Sequence, residues 1–291
     1  MKQIISFSRR TDGPAFYMDI LKNAIEQGWI DVLNPFNRKP YHISLAPSDV
    51  AGFVFWSKNF KPLLGKLDIL NRYASPQPIL SRTLVPVYFQ FTRNSEFKEL
   101  EPFSPALDMS FEQIRELVEI SSPRHVMWRF DPIIFWKDAE NIIENTRDFK
   151  EIADHFADAG IRNCTISFVT YYSKVERRLK QHNIDFYKPS FREIKKIIKK
   201  LTEIANSFNI KIYSCCNPDL LNLEGISQAH CIDGEYLQKL WRTKLSIAKD
   251  SGQREGCGCT KSRDIGGYGK EWECKFGCIY CYANPRRVES R

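Results

Sequence analysis

Residues 190–215 read SFREIKKIIKKLTEIANSFNIKIYSC, and two periodicities meet inside that stretch. Ser190 stands three residues before Glu193, the spacing of a capping box, in which each side chain satisfies an orphan backbone N–H at a helix start. Behind it Phe191, Ile194, Ile197, Ile198, Leu201, Ile204 and Phe208 recur at helical spacing, which makes one helix face apolar. The period then changes, and 210–215 has the apolar character of a strand. A helix feeding directly into a strand is half of a βαβ unit.

The rest of the chain repeats the pattern. Strands are predicted at 4–8, 52–56, 85–91, 125–130 and 163–170 besides 210–215, several of them apolar on consecutive positions, as strands covered on both faces should be. Ile142, Ile143, Phe149, Ile152, Ala153 and Phe156 mark a helix that Gly160 can end in left-handed geometry. Further helices are expected at 16–27, 110–120 and 235–249, with a shorter one at 63–71. Six βα units with right-handed crossovers give an α/β protein whose sheet either curls into a partial or complete TIM-like barrel or lies open and doubly wound. No glycine-rich dinucleotide fingerprint follows the first strand, which favours the curled form. The expected division is a barrel-like domain over 1–250 and a Gly- and Cys-rich tail over 251–291, packed at the barrel mouth.

The 291 residues carry a formal net charge of +8. Basic residues are dense around Arg177, Arg178 and Lys180 and again at Lys195, Lys196, Lys199 and Lys200, the latter opposite the apolar stripe and so read as a solvated helix face. Such a field attracts phosphate without reading sequence, so nucleic acid is admitted as a partner. The first residues lack a signal-peptide layout and no stretch approaches the ~18 apolar residues of a membrane span. A cytoplasmic protein with no membrane partner is expected.

Eight of the nine cysteines fall from Cys215 onward. In a reducing compartment that density favours metal ligation or redox chemistry over disulfides. Cys274, Cys278 and Cys281, four and then three residues apart, can converge on a [4Fe–4S] cluster at little loop-closure cost, and three ligands leave one iron open. Upstream, Cys231, the pair Cys257 and Cys259, and one of the adjacent Cys215 and Cys216 supply four thiolates, enough for a second [4Fe–4S] cluster or a tetrahedral zinc. Cys164, inside a strand, is read as core, and Asp264 through Gly269 as a flexible connector.

In a βα barrel the chemistry sits at the C-terminal strand ends. Arg9, Arg10 and Asp12 follow the first strand, Lys58 and Asn59 the second, and Thr92 and Arg93 the third; Arg129 and Asp131 end the fourth, and Tyr171, Tyr172 and Ser173 follow the fifth. Arg9, Arg10, Lys58 and Arg129 could hold a carboxylate or phosphate, with Asp12 and Asp131 orienting them or binding a ribose hydroxyl. Phe55, Trp56 and Trp128 are read as core or pocket wall, and His125 and His230 as structural or solvated.

The run Cys274-Lys-Phe-Gly-Cys278-Ile-Tyr280-Cys281 resembles the CxxxCx(aromatic)C loop of radical S-adenosylmethionine enzymes, with Tyr280 in the aromatic position. That resemblance implies a cluster whose open iron chelates S-adenosylmethionine, an electron donor, and cleavage to a 5′-deoxyadenosyl radical that acts on a substrate; Tyr280, Asn59 and Tyr171 are the candidate cofactor contacts. In those enzymes the loop usually follows the first strand, whereas here it follows all six units, and Trp56-Ser57-Lys58-Asn59 stands where their Gly-Gly-Glu stretch would be. Over nearly its whole length the chain is similar to the bacterial family called domain of unknown function 1848, through Ser8-Arg9-Arg10-Thr11-Asp12, Phe55-Trp56-Ser57-Lys58-Asn59, Trp128-Arg129-Phe130-Asp131-Pro132, Cys231-Ile232-Asp233 and the tail from Arg254 to Ala283. Spore photoproduct lyase, a radical enzyme acting on DNA, is a looser likeness through the cysteine loop and the Ser-Lys-Asn strand end. The competing expectation is a non-catalytic iron–sulfur protein that binds nucleic acid, senses redox state or carries electrons, and a third is a structural zinc site.

Overall fold

Eight strands form one parallel sheet in the computed structural model, which describes residues 1–34, 37–75, 85–254, 256–283 and 285–288. In chain order they are β1 (Gln3–Phe7), β2 (Val50–Ser57), β3 (Val87–Thr92), β4 (Val126–Ile133), β5 (Asn163–Phe168), β6 (Lys211–Ser214), β7 (Ile226–Gln228) and β8 (Arg263–Asp264). Their spatial order is β7-β6-β5-β4-β3-β2-β1-β8, each pair parallel. The six predicted strands are all present. The sheet is open, however, with β7 and β8 at its two edges, so the complete barrel among the expected forms is corrected. Barrel closure needs strands of matched length and stagger all the way round. Here the seventh and eighth positions hold strands of three and two residues, and β8 comes from the tail rather than from a further βα unit.

The helices are α1 (Met18–Gln27), α2 (Leu107–Ile120), α3 (Phe149–Asp158), α4 (Ser173–Gln181), α5 (Phe191–Ser207) and α6 (Gly234–Trp241). The capping box at Ser190 forms as read, and Gly160 takes φ +81° just past α3. Ile142 and Ile143 are not helical: they lie in a hairpin of Phe135–Asp138 with Asn141–Glu144, and Asn145 through Asp148 separate it from α3. The 63–71 segment is instead a single turn at Lys61–Leu64 and a 3₁₀ stretch at Leu67–Tyr73. The 235–249 helix stops at Trp241, where Arg242 turns left-handed at φ +48°. The hairpin of Trp29–Leu33 with Pro40–Ser44 and the helix α4 were not anticipated.

Strand alternation decides what each face meets. Phe7, Phe53, Phe55, Phe89, Phe91, Trp128 and Phe130 point to one face and pack on Leu21 of α1, Leu117 of α2, Phe156 of α3 and Leu201 of α5. The alternate residues Ile4, Val54 and Tyr88 point to the other face, where they meet Leu237, Leu240 and Trp241 of α6 together with Cys215, Cys231, Cys257 and Cys259. Trp241 Nε1 donates to the Val87 carbonyl at 3.1 Å, and Gln90 Nε2 donates to the Cys231 carbonyl at 2.8 Å. Successive side chains in a strand face opposite ways, so one sequence run serves both layers.

The segment read as a flexible connector is docked. Asp264 accepts hydrogen bonds from Ser6 Oγ (3.0 Å), Ser8 Oγ (2.8 Å) and the Arg9 backbone N–H (2.7 Å), which ties the tail to the end of β1. A Cβ on Gly266 would lie 1.8 Å from Ser8 Oγ, so this close approach admits only glycine. No helix among the described residues is long and apolar enough to cross a membrane.

Candidate cysteine-lined active site

At the C-terminal ends of β1, β2, β4 and β5 lies a cavity of about 280 Å³. All eight cysteines from Cys215 onward line it, beside Arg9, Arg10, Asp12, Trp56, Lys58, Arg129 and Asp131. The two cysteine groups, read separately along the chain, therefore open into one space. Cys164 is fully buried on the helix face, as expected.

The loop bearing Cys274, Cys278 and Cys281 is held from three sides. Arg178 of α4 donates from one guanidinium nitrogen to the carbonyls of Ile279 (3.0 Å) and Cys281 (2.7 Å), and the Ile279 N–H donates to the Leu100 carbonyl at 3.0 Å. Gly277 turns the loop at φ +63°. Phe276, Cys278, Ile279 and Tyr280 are buried against Leu100, Ile134, Val175 and Leu179. Beneath the loop, Glu101 is a buried hub: it pairs with Lys58 Nζ at 2.8 Å and accepts from Ser104 Oγ at 2.7 Å, from Asn94 Nδ2 at 3.1 Å and from the Tyr280 hydroxyl. Burial alone would raise the Glu101 carboxyl, but Lys58 and these donors bring it down to about 2. Burial would likewise lower the Lys58 ammonium; Glu101 and then Cys278 hold it above its usual value.

These three sulfurs are electrostatic neighbours, yet among the described residues none hydrogen-bonds another. Burial pushes the Cys274 thiol up to about 12 and raises Cys278 and Cys281 as well. Left to themselves they stay protonated, and only a bound metal would displace the protons.

The other five cysteines make a ring of thiols. Cys215 and Cys231 are 3.5 Å apart and Cys215 and Cys216 3.9 Å, and Cys259 and Cys257 are electrostatic neighbours of Cys231 and Cys216. The Ile232 N–H also donates to Cys259 Sγ at 3.4 Å. Hydrogen bonds from Cys215 and Cys259, with the nearby Arg129 guanidinium, hold the Cys231 thiol well below its usual value. Arg129 donates to Cys231 Sγ at 3.0 Å and to Gln90 Oε1 at 3.3 Å, while its other nitrogen pairs with Asp131, which also accepts from Ser167 Oγ. Arg9 and Arg129 flank the Trp56 ring at 5.9 and 5.1 Å. Arg9 and Arg254 add positive charge beside Cys259 and Cys216 respectively.

A family model described as Domain of unknown function (DUF1848) matches residues 4–283, from the first strand through both cysteine groups. The chain belongs to that family. No curated protein matches it. What the DUF1848 chain can do therefore rests on the chemistry of its own residues.

Of the residues expected at the strand ends, Arg9, Arg10, Asp12, Lys58, Arg129 and Asp131 line the cavity of this DUF1848 chain. Their partners narrow the roles. Asp12 is consumed by Ser57 Oγ (2.6 Å) and the backbone N–H groups of Lys58 (2.8 Å) and Ala15 (3.1 Å), and burial raises it to about 6. It builds the strand end rather than presenting a free carboxylate. Arg10 is spent on the Gly266 carbonyl at 3.0 Å, whereas Arg9 bonds Ser262 Oγ at 2.9 Å and Asp250 at 3.4 Å but leaves its buried Nε without a partner. Tyr280 lines the cavity with its hydroxyl committed to Glu101. Asn59 and Tyr171 do not line it: Asn59 Oδ1 accepts from the Lys61 N–H at 3.1 Å, and Tyr171 stacks on Phe186 and donates to the Tyr187 carbonyl at 3.1 Å. Trp56 is cavity wall, while Phe55 and Trp128 are core.

Glu101, Asn94, Gln90 and Ser167 were not read as site residues. Glu101 sits between Leu100 and Pro102 in a loop with no periodicity, so only its spatial contacts reveal it.

As for the groups these residues could hold, no set of three or more His, Cys, Asp or Glu side chains among the described residues is arranged for a single metal ion. The donor chemistry fits iron–sulfur clusters: buried thiols in two groups, each facing cations suited to the negative charge of a thiolate-ligated cluster. In the ring, cluster corners would need the contacting sulfurs of Cys215, Cys216 and Cys231 to spread apart.

Proposed function

We propose that this DUF1848 protein is an iron–sulfur enzyme of the radical S-adenosylmethionine type. Cys274, Cys278 and Cys281 would hold a [4Fe–4S] cluster with one open iron, and Cys231, Cys257, Cys259 and one of Cys215 and Cys216 a second, fully ligated cluster. The observation that carries this reading is the meeting of both cysteine groups in one cavity at the C-terminal strand ends, among Arg9, Lys58 and Arg129. A protein that used its cysteines only as a folding staple has no need to open both groups onto a common, cation-lined space.

When bound, the first cluster with S-adenosylmethionine supplies a 5′-deoxyadenosyl radical, given an electron from an external donor. The chain's own residues position and protect. Lys58, neutralised in part by Glu101, places an ammonium near Cys278, and the packing of Phe276, Ile279 and Tyr280 against Leu100 and Leu179 keeps water from that side of the loop. The unpartnered Nε of Arg9 is free to meet an anionic group of a bound molecule. Arg129, bonded to Cys231, would offset the negative charge of thiolates holding a cluster at the ring.

The test is anaerobic purification with iron, sulfide and zinc analysis, then reduction in the presence of S-adenosylmethionine and assay for 5′-deoxyadenosine. Iron, sulfide and a nucleoside product that depends on Cys278 support the proposal. Iron and sulfide with no nucleoside, even with a strong reductant, shift the assignment to electron transfer or redox sensing. Zinc without sulfide discards it.

A further inference from the structure

Three exposed tyrosines stand together at the mouth of the cysteine-lined cavity. Tyr172, Tyr268 and Tyr282 are 42%, 45% and 48% exposed, and it is their grouping rather than single exposure that is informative. They line a second hollow of about 390 Å³ with Arg38 and Lys174, and Tyr282 lines the cysteine cavity as well, so the two spaces adjoin. The rings of Tyr172 and Tyr282 are 6.1 Å apart at 52°. Arg254 lies over Tyr282 at 5.9 Å and Arg10 over Tyr268 at 5.7 Å.

The unpaired charge around these rings, among the described residues, is positive. Among the described residues, Arg38, Lys174 and Arg254 are exposed and have no carboxylate partner, and no acidic one lines the hollow. Asp264, which acts on Tyr268, is occupied by β1; Asp131, which acts on Tyr282, is paired with Arg129 and Ser167; and Glu176 on α4 is paired with Lys188 at 2.7 Å. Aromatic faces interleaved with unpaired cations suit a ligand that has a planar ring system and negative charge a few ångströms apart. Bases stack on tyrosine whatever their identity, and phosphates take Lys and Arg.

We propose that the mouth binds a nucleotide unit of the substrate, its base on Tyr172 and Tyr282 and its phosphate on Arg38, Lys174 or Arg254, and so presents it to the cysteine-lined cavity. This names the substrate class of the enzyme proposed above and rests on that reading for its catalytic part, but not for binding. The unit belongs either to a free nucleotide or to a single strand of nucleic acid.

The experiment is fluorescence anisotropy on anaerobically purified full-length protein, with a labelled single-stranded oligothymidylate at low salt and competition by thymidine monophosphate. Binding that weakens steeply with added salt, on the order of tenfold in the Tyr172→Ala/Tyr282→Ala variant, and returns in Tyr172→Phe/Tyr282→Phe supports the proposal. The Arg38→Ala/Lys174→Ala variant should flatten the salt dependence. Equal affinity for the monophosphate and the strand identifies a free nucleotide as the source; tighter binding of the strand identifies nucleic acid. No binding of either probe at low salt overturns it. So does unchanged oligonucleotide binding in the alanine variant with raised KM for S-adenosylmethionine, which would give the tyrosines to that cofactor's adenine. Failure of the radical chemistry alone shows as nucleotide binding without 5′-deoxyadenosine, and so is told apart from failure of the mouth.

Discussion

The loop that carries Cys274, Cys278 and Cys281 brings three thiols together within a single turn-rich stretch, whereas the ring of five draws on the end of β6, the stretch around Cys231 and the tail pair Cys257 and Cys259. Closing a short loop costs little entropy, so the first group is nearly assembled by its own sequence. The second exists only when the sheet, α6 and the tail are all in place. Their frames differ too. The loop is underlain by the Glu101–Lys58 pair and the Tyr280 hydroxyl, while the ring has sulfur in contact with sulfur and one buried guanidinium on Cys231.

The largest expected effect separates the two groups outright. Cys278→Ala should abolish 5′-deoxyadenosine formation and remove roughly one cluster's four irons, whereas Cys231→Ala should remove the same amount of iron from the ring and leave the loop's cluster spectroscopically intact. If iron content and visible absorption survive in Cys278→Ala, the loop is not the ligand set.

Next in size is the frame. Glu101→Gln strands the buried Lys58 charge and should destabilise the fold by about 3–5 kcal/mol in chemical denaturation, with Lys58→Met/Glu101→Gln recovering much of the loss. Iron at the ring should be retained in the double variant. A ring that loses iron along with the loop would mean that the two groups fold as one unit.

The same carboxylate predicts a pH limb. Its folded-state value of about 2 lies below the ordinary carboxylate value of about 4.5, so its contribution is fully present above pH 4.5 and is lost as pH falls through 2. That contribution is about 3 kcal/mol, and the acid limb of the stability curve should shrink by that amount in Lys58→Met/Glu101→Gln.

The smallest effect lies within the ring. Cys215 is buried and touches Cys231, whereas Cys216 is only half-buried, at φ +56° beyond the strand end. Cys215→Ser should therefore cost ring iron and Cys216→Ser should leave it. The reverse result would make Cys216 the ligand.

Much of the scaffold was legible along the chain because buried strands and amphipathic helices carry their periods locally. The capping box at Ser190, the apolar stripe of α5 and all six long strands follow from residues within a few turns of one another. Ile142 and Ile143 misled because two apolar residues in sequence fit a helix and a hairpin equally well. Whether the sheet closes was not legible, since closure depends on how the short last strands meet at the edges.

The cysteine loop, its spacing and its aromatic residue are properties of the sequence alone, because eight consecutive residues already hold the whole motif. The opening of both cysteine groups into one cavity, the Glu101–Lys58–Tyr280 network, the docking of Asp264 on β1 and the tyrosine-rimmed mouth were decided only by tertiary structure. Each joins residues tens to hundreds of positions apart, and no local period encodes such contacts. They arise where a parallel sheet brings the ends of separate strands to one edge and the returning tail closes over them.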